Sequence, residues 1–163
     1  MSKVLVTAER NVEISHHQFV VQDFEWDEHA NPPLTTDGSL GVGESSVRVM
    51  SLVHTHAAEV AVEVWDGEPD PAKVPVVGEA TILSRSGVLL IDQLFDGFAG
   101  GPVALGMPGL YRVQVCRELA YPAEGIQDVA QGGVYEGLER YVIRFWQTGP
   151  LPDGQDFEDR LTG

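Results

Sequence analysis

Valine at every second position constrains this chain more than any other feature. In residues 59–65, Val60, Val62 and Val64 share one parity, and Glu59 and Glu63 share the other. Successive side chains of a strand point to opposite faces, so this stretch is a strand with one buried and one solvated side. The alternation returns in 111–117, where Tyr111, Val113 and Val115 oppose Arg112, Gln114 and Cys116. It returns again in 139–146, where Tyr141, Ile143 and Phe145 form the apolar face. Short valine-rich runs recur between Gly, Pro, Asp and Ser, and no helical period of about 11 residues or more is visible. The one helical suggestion is a short turn near residues 156–161. Ala80 to Leu83 and Val88 to Ile91 flank Ser84, Arg85, Ser86 and Gly87, which predicts a hairpin.

The parity changes once. Val12 and Ile14 are even, whereas Phe19 and Val21 are odd. A period-two pattern cannot switch phase without a bulge, a bend or a break, expected here near His16 and His17. Long connections are expected at 24–43, 96–109 and 121–137, and long loops in a β domain are often functional. A chain of 163 residues is one domain's worth and can bury a core without staples. The expected architecture is one all-β domain over 1–163. It is an antiparallel β-sandwich of about 7–10 strands with long loops, ending in an acidic tail from about 150.

Charge narrows the function classes. Lys and Arg number 10, Asp and Glu 25, for a net charge of −15. Direct nucleic-acid binding needs a basic surface, and an anionic membrane repels an acidic one. A basic protein or a cation fits this field, and solubility alone is the plainer explanation. No run of about 18 apolar residues is present to span a bilayer as a helix. The start, MSKVLVTAERN, lacks the apolar stretch and cleavage site of a signal peptide, so a cytoplasmic setting is expected. One cysteine, Cys116, leaves no disulfide framework and no Cys-rich zinc site.

The acid is clustered. Asp23, Glu25, Asp27 and Glu28 interleave with Phe24 and Trp26; Asp66, Glu68 and Asp70 follow Trp65; Asp153, Asp156, Glu158 and Asp159 lie in the tail. An acidic loop with an aromatic anchor, Trp26, is a candidate protein-binding surface, helped by Asp66, Glu68 and Asp70. The alternative is a solvated loop whose Phe24 and Trp26 tuck into the core. His29 sits in the same loop and can pair with its acids.

Catalytic signatures are sparse. His54 and His56 would share a face on a strand and could reach one metal ion. The stretch from His54 to Gly67 resembles the first metal motif of cupins, with Glu59 as the nearest acid. That glutamate has the wrong parity, and no histidine follows His56 to complete the set. His16 and His17 are adjacent and would point to opposite faces of a regular strand. Cys116 lies in a strand pattern and reads as an inert thiol. No Gly-x-Ser-x-Gly elbow is present, and Gly41, Val42, Gly43 and Glu44 do not make a phosphate loop. A carboxylate pair for glycoside hydrolysis remains open on acid content alone. No cofactor is expected.

The run Ile14-Ser-His-His-Gln-Phe-Val-Val21 resembles the N-terminal strand of the competence protein J family, which contains the inhibitor of the DNA-entry nuclease. Later features follow in similar order: Thr36-Asp-Gly38, a strand pair within 46–65, Val74-Pro-Val-Val77 leading into a hairpin, the 108–115 glycine turn and strand, and 140–145. His17, Gln18 and Phe19 match the motif and are expected to be structural, with Phe19 in the core and His17 or Gln18 satisfying backbone groups. The resemblance implies a non-catalytic inhibitor of a basic, metal-dependent nuclease. An immunity or scaffold protein with a different partner is the second possibility, and a cupin-like metal enzyme using His54, His56 and Glu59 the third.

Overall fold

The computed structural model describes residues 1–25 and 34–152. Trp26, Asp27, Glu28, His29 and the acids of the tail, with the turn expected near 156–161, lie outside the described residues. Ten strands and one short helix are seen in the described chain. The first sheet has the order β1-β5-β10-β9-β6, formed by β1 (Val4–Ile14), β5 (His56–Trp65), β10 (Glu136–Pro150), β9 (Gly109–Leu119) and β6 (Val76–Ser84). The second has the order β3-β4-β2-β7-β8, formed by β3 (Leu40–Val42), β4 (Ser46–Met50), β2 (Gln18–Asp23), β7 (Val88–Asp92) and β8 (Val103–Ala104).

Alternation translates directly into burial. Val60, Val62, Tyr141, Ile143, Phe145 and Val113 are all inaccessible to solvent, at 0% exposure, once Tyr141 and its neighbours face inward. Residues of both sheets enter one hydrophobic cluster, and Phe19 of β2 meets Tyr141 of β10 edge-on at 5.2 Å. Each such large side chain contributes about 1.5–3 kcal/mol on leaving water. The parity switch also has its cause. β1 pairs with β5 in the first sheet, whereas β2 pairs with β4 and β7 in the second. Between them His16 and His17 turn the chain at φ 55° and 64°.

Three expectations are corrected. The first sheet is not wholly antiparallel, because β10 runs parallel to β5 while the remaining pairs are antiparallel. Alternation specifies which face is buried, not which strand lies alongside or in which direction. The tetrapeptide Ser84–Gly87 is not a hairpin turn: β6 pairs with β9 and β7 with β2, so these residues carry the chain between sheets. Likewise β4 and β5, within 46–65, belong to different sheets and do not pair with each other. The connection 121–137 contains α1 (Ile126–Gln131), too short for a helical period to show in the sequence. Its Ile126 packs with Val53 and Leu138 in a small separate cluster at one end of the first sheet.

Candidate functional site

Where β5 and β10 begin, four polar side chains are folded out of water. Ser51 Oγ donates to Glu139 Oε1 at 2.5 Å, and Tyr141 OH donates to the same oxygen at 2.8 Å. The backbone N–H of Leu52 donates to Glu139 Oε2 at 3.0 Å. His56 Nε2 lies 2.9 Å from Ser51 Oγ and 3.3 Å from Glu139 Oε1. Since the Ser51 proton goes to the carboxylate, His56 Nε2 must carry the hydrogen that faces Ser51. Burial alone raises a carboxyl pKa, and it is the largest influence on Glu139. The bonds from His56, Ser51, Leu52 and Tyr141 outweigh it and hold the group below its usual value. Tyr141 is pushed well up, by burial first and the Glu139 charge second.

Serine, histidine and glutamate together invite comparison with a hydrolytic triad. The geometry argues otherwise. A triad histidine uses one nitrogen toward serine and the other toward the carboxylate. Here both partners sit at Nε2, the serine bonds the carboxylate directly, and His56 Nδ1 is buried with no partner among the described residues. All of it is buried beyond substrate reach. The network fastens the 51–55 turn to β10.

That role also corrects the cupin-like metal reading. β5 starts at His56, so His54 precedes the strand and the shared-face rule does not join the two imidazoles. His54 is exposed, with Nδ1 2.7 Å from Thr55 Oγ1, while His56 belongs to the buried network. Glu59 is exposed, 3.7 Å from Arg140 Nε. Among the described residues no group of three His, Cys, Asp or Glu side chains is placed to hold a metal ion.

His54 instead joins the two turn histidines. Its ring centroid is 5.1 Å from those of both His16 and His17. His17 Nδ1 lies 3.1 Å from the Ser51 carbonyl oxygen, so it donates there, and its backbone N–H donates to the His54 carbonyl at 3.0 Å. Residues 17–19 have structural work: Phe19 is in the core, His17 satisfies a carbonyl, and Gln18 Oε1 accepts from Arg48. Two consecutive left-handed residues without glycine cost about 1–2 kcal/mol each. The third non-glycine residue with positive φ, Leu94, precedes Phe95, whose ring is 5.3 Å from that of His16.

The predicted acidic surface divides. Asp23 is buried at 1% exposure, which removes it from any outward-facing set. Its carboxylate accepts from Ser84 Oγ at 2.5 Å, Ser86 Oγ at 2.9 Å and the Glu25 N–H at 3.0 Å. It holds the passage from β6 to β7 closed. Phe24 is 56% exposed and does not tuck into the core. Glu25 is exposed beside it, and Asp66, Glu68 and Asp70 are exposed as well. Pairing of β5 with β10, β10 with β9 and β9 with β6 brings Trp65 and Ser84 to the same end of the first sheet. Three strand spacings, about 14 Å, separate those two strand ends.

The turn carrying Asp66, Glu68 and Asp70 is fastened from below. Arg144, almost wholly buried, donates to the Asp70 carbonyl at 2.9 Å, lies 3.7 Å from Glu63 and stacks 5.0 Å over the Trp65 ring. Cys116 lies beneath the same turn, in the lining of a cavity of about 370 Å³. Burial pushes its thiol pKa up, as an inert cysteine requires.

Sequence reasoning missed the Glu139 network, although its parity was visible. Glu139 shares the odd phase of Tyr141, Ile143 and Phe145, which puts a carboxylate on the buried face. It also missed Phe95 and Tyr135, since nothing local says which loop aromatics stay outside.

Two sheets of five strands with a mostly antiparallel order define an all-β fold that is known. No protein-family model matches the sequence, and no curated protein matches it. Among solved structures, ComJ, inhibitor of the DNA degrading activity of NucA, from Bacillus subtilis is similar with a TM-score of 0.58 and 14% identity, covering 91% of this chain and 99% of that one. A protein described as crocagin biosynthetic gene J is similar with a TM-score of 0.53 and 19% identity, covering 88% of this chain and 99% of that one. The chain has a ComJ-like fold.

Proposed function

We propose that this chain is a non-catalytic binding protein that inhibits a basic, metal-dependent nuclease, as a member of the competence protein J family. The observation that carries the reading is the likeness in fold to a nuclease inhibitor across 91% of this chain and 99% of that one. The core shared by the two sheets supports the sandwich arrangement within a single domain. A nuclease holds phosphate with a cationic cleft, and a protein of net charge −15 offers carboxylates in place of phosphates. The exposed Glu25, Asp66, Glu68 and Asp70 supply part of that field, steering encounter in a salt-sensitive way. In this reading the protein binds neither nucleic acid nor membrane directly, needs no cofactor and works in the cytoplasm.

Affinity capture from source cells at low and at high salt tests the reading, with identification by mass spectrometry. A basic nuclease held at low salt and lost at high salt is the expected result. Recovery of no nuclease under either condition contradicts it, and an immunity or scaffold role with another partner takes its place. Fractionation of the same cells checks the compartment.

A further inference from the structure

The end of the domain opposite Asp66 carries exposed aromatic side chains set among carboxylates. Four segments converge there. The Ser15–Gln18 turn bonds to the 54–55 turn through the His17 N–H, and His54 N–H donates to Gln127 of α1 at 3.0 Å. Ala57 N–H donates to the Tyr135 carbonyl, and Gln93 accepts from the Glu13 N–H at 2.7 Å, which brings in the 92–98 loop. On this platform Phe95 is 76% exposed, Phe98 51% and Tyr135 46%. His16 and His54 are exposed beside Phe95.

Carboxylates outnumber the cations around this platform: Arg140, in the cavity lining with Glu136, pairs with Glu59, and Arg117, in a cavity lining with His16 and His17, donates to the Met50 carbonyl. Tyr135 OH donates to Glu13, and that bond is the first cause of its raised pKa, with the charges of Glu13, Asp96 and Glu136 adding to it. Residues 118–139 contain Glu118, Glu124, Asp128, Glu136 and Glu139 and no Lys or Arg; residues 86–111 contain Asp92 and Asp96 and again no Lys or Arg. Arg10, beside the 100–101 turn, is turned onto the carbonyls of Glu9 and Gly101.

Resting on the nuclease-inhibitor reading, we propose that this face, centred on Phe95 and Tyr135, is where the cationic partner docks. An exposed ring flanked by carboxylates suits an Arg or Lys side chain twice over. The ring face attracts the cation, and the carboxylates accept its hydrogen bonds. Phe95 is the desolvated anchor of the contact, and Glu13, Asp96 and Glu136 fix its register. The distant Glu25, Asp66, Glu68 and Asp70 act at long range, on the rate of encounter.

Binding kinetics with NucA and with the source cell's own metal-dependent nucleases test this. Wild type, Phe95→Ala, the pair Asp96→Asn with Glu136→Gln, and the far-end triple Asp66→Asn, Glu68→Gln and Asp70→Asn are compared. Phe95→Ala should weaken Kd about tenfold or more through faster dissociation, with thermal unfolding unchanged because the ring is exposed. The Asp96/Glu136 pair should weaken it in the same direction. The far-end triple should change mainly the association rate and its salt dependence. A wild type that binds, with Phe95→Ala and the Asp96/Glu136 pair both within about twofold of it, overturns the docking face and leaves the inhibitor reading standing. A wild type that binds none of these nucleases overturns both.

Discussion

Ser51 Oγ lies 2.5 Å from Glu139 Oε1 and joins residues 88 positions apart in the chain. Through that bond the turn before β5 is held on the start of β10, alongside the Tyr141 and Leu52 contacts to the same carboxylate. Removing the acceptor takes it from the Ser51 and Tyr141 hydroxyls, the His56 Nε2 and the Leu52 N–H at once. Glu139→Ala should therefore cost about 3–5 kcal/mol, and Glu139→Gln about 1–3 kcal/mol, in urea unfolding at neutral pH.

The same group sets a pH dependence. Its folded pKa is depressed below the ordinary value of 4.5. The stabilisation is therefore full above the unfolded pKa and disappears as pH falls through the folded one. Urea melts across the acid range should show the gap between wild type and Glu139→Gln constant above about pH 5.5 and narrowing below pH 4.5.

Gly87 sits in the passage between sheets at φ +71°, and a Cβ there would meet the Gly106 carbonyl oxygen at 2.2 Å. Gly87→Ala meets both a backbone penalty and a clash with main chain. A loss of about 2 kcal/mol or more is expected by chemical denaturation, against near-neutral effects at an open glycine such as Gly125.

Asp23 and Asp66 should behave oppositely although both were legible as surface acids. Asp23→Asn weakens a buried carboxylate that takes bonds from Ser84, Ser86 and Glu25. It should lower stability by about 1–3 kcal/mol. Neutralising the exposed Asp66, Glu68 and Asp70 should leave the melting midpoint within a few degrees and reduce the salt sensitivity of partner association.

Sequence parity located the strands well, because Val60, Val62 and Val64 or Tyr141, Ile143 and Phe145 report a face by themselves. It also located the break at His16 and His17, where the chain changes sheets. It did not report partners. The parallel contact of β10 with β5 and the separation of β6 from β7 depend on long-range packing. For the site, spacing misled at His54 and His56, since two residues share a face only when both lie within the strand. Acid density misled at Asp23, whose inward turn is fixed by serines 61 and 63 positions away. The Phe95 and Tyr135 face joins four distant segments, so no local pattern announces it.

Inhibition is tested by DNA degradation. NucA and the metal-dependent nucleases of the source cell are assayed against rising concentrations of this protein, at low and high salt. At least one of them is expected to lose activity at near-stoichiometric protein in low salt and to regain it in high salt. Full DNA degradation by every one of them, at large molar excess of the protein in low salt, would contradict it.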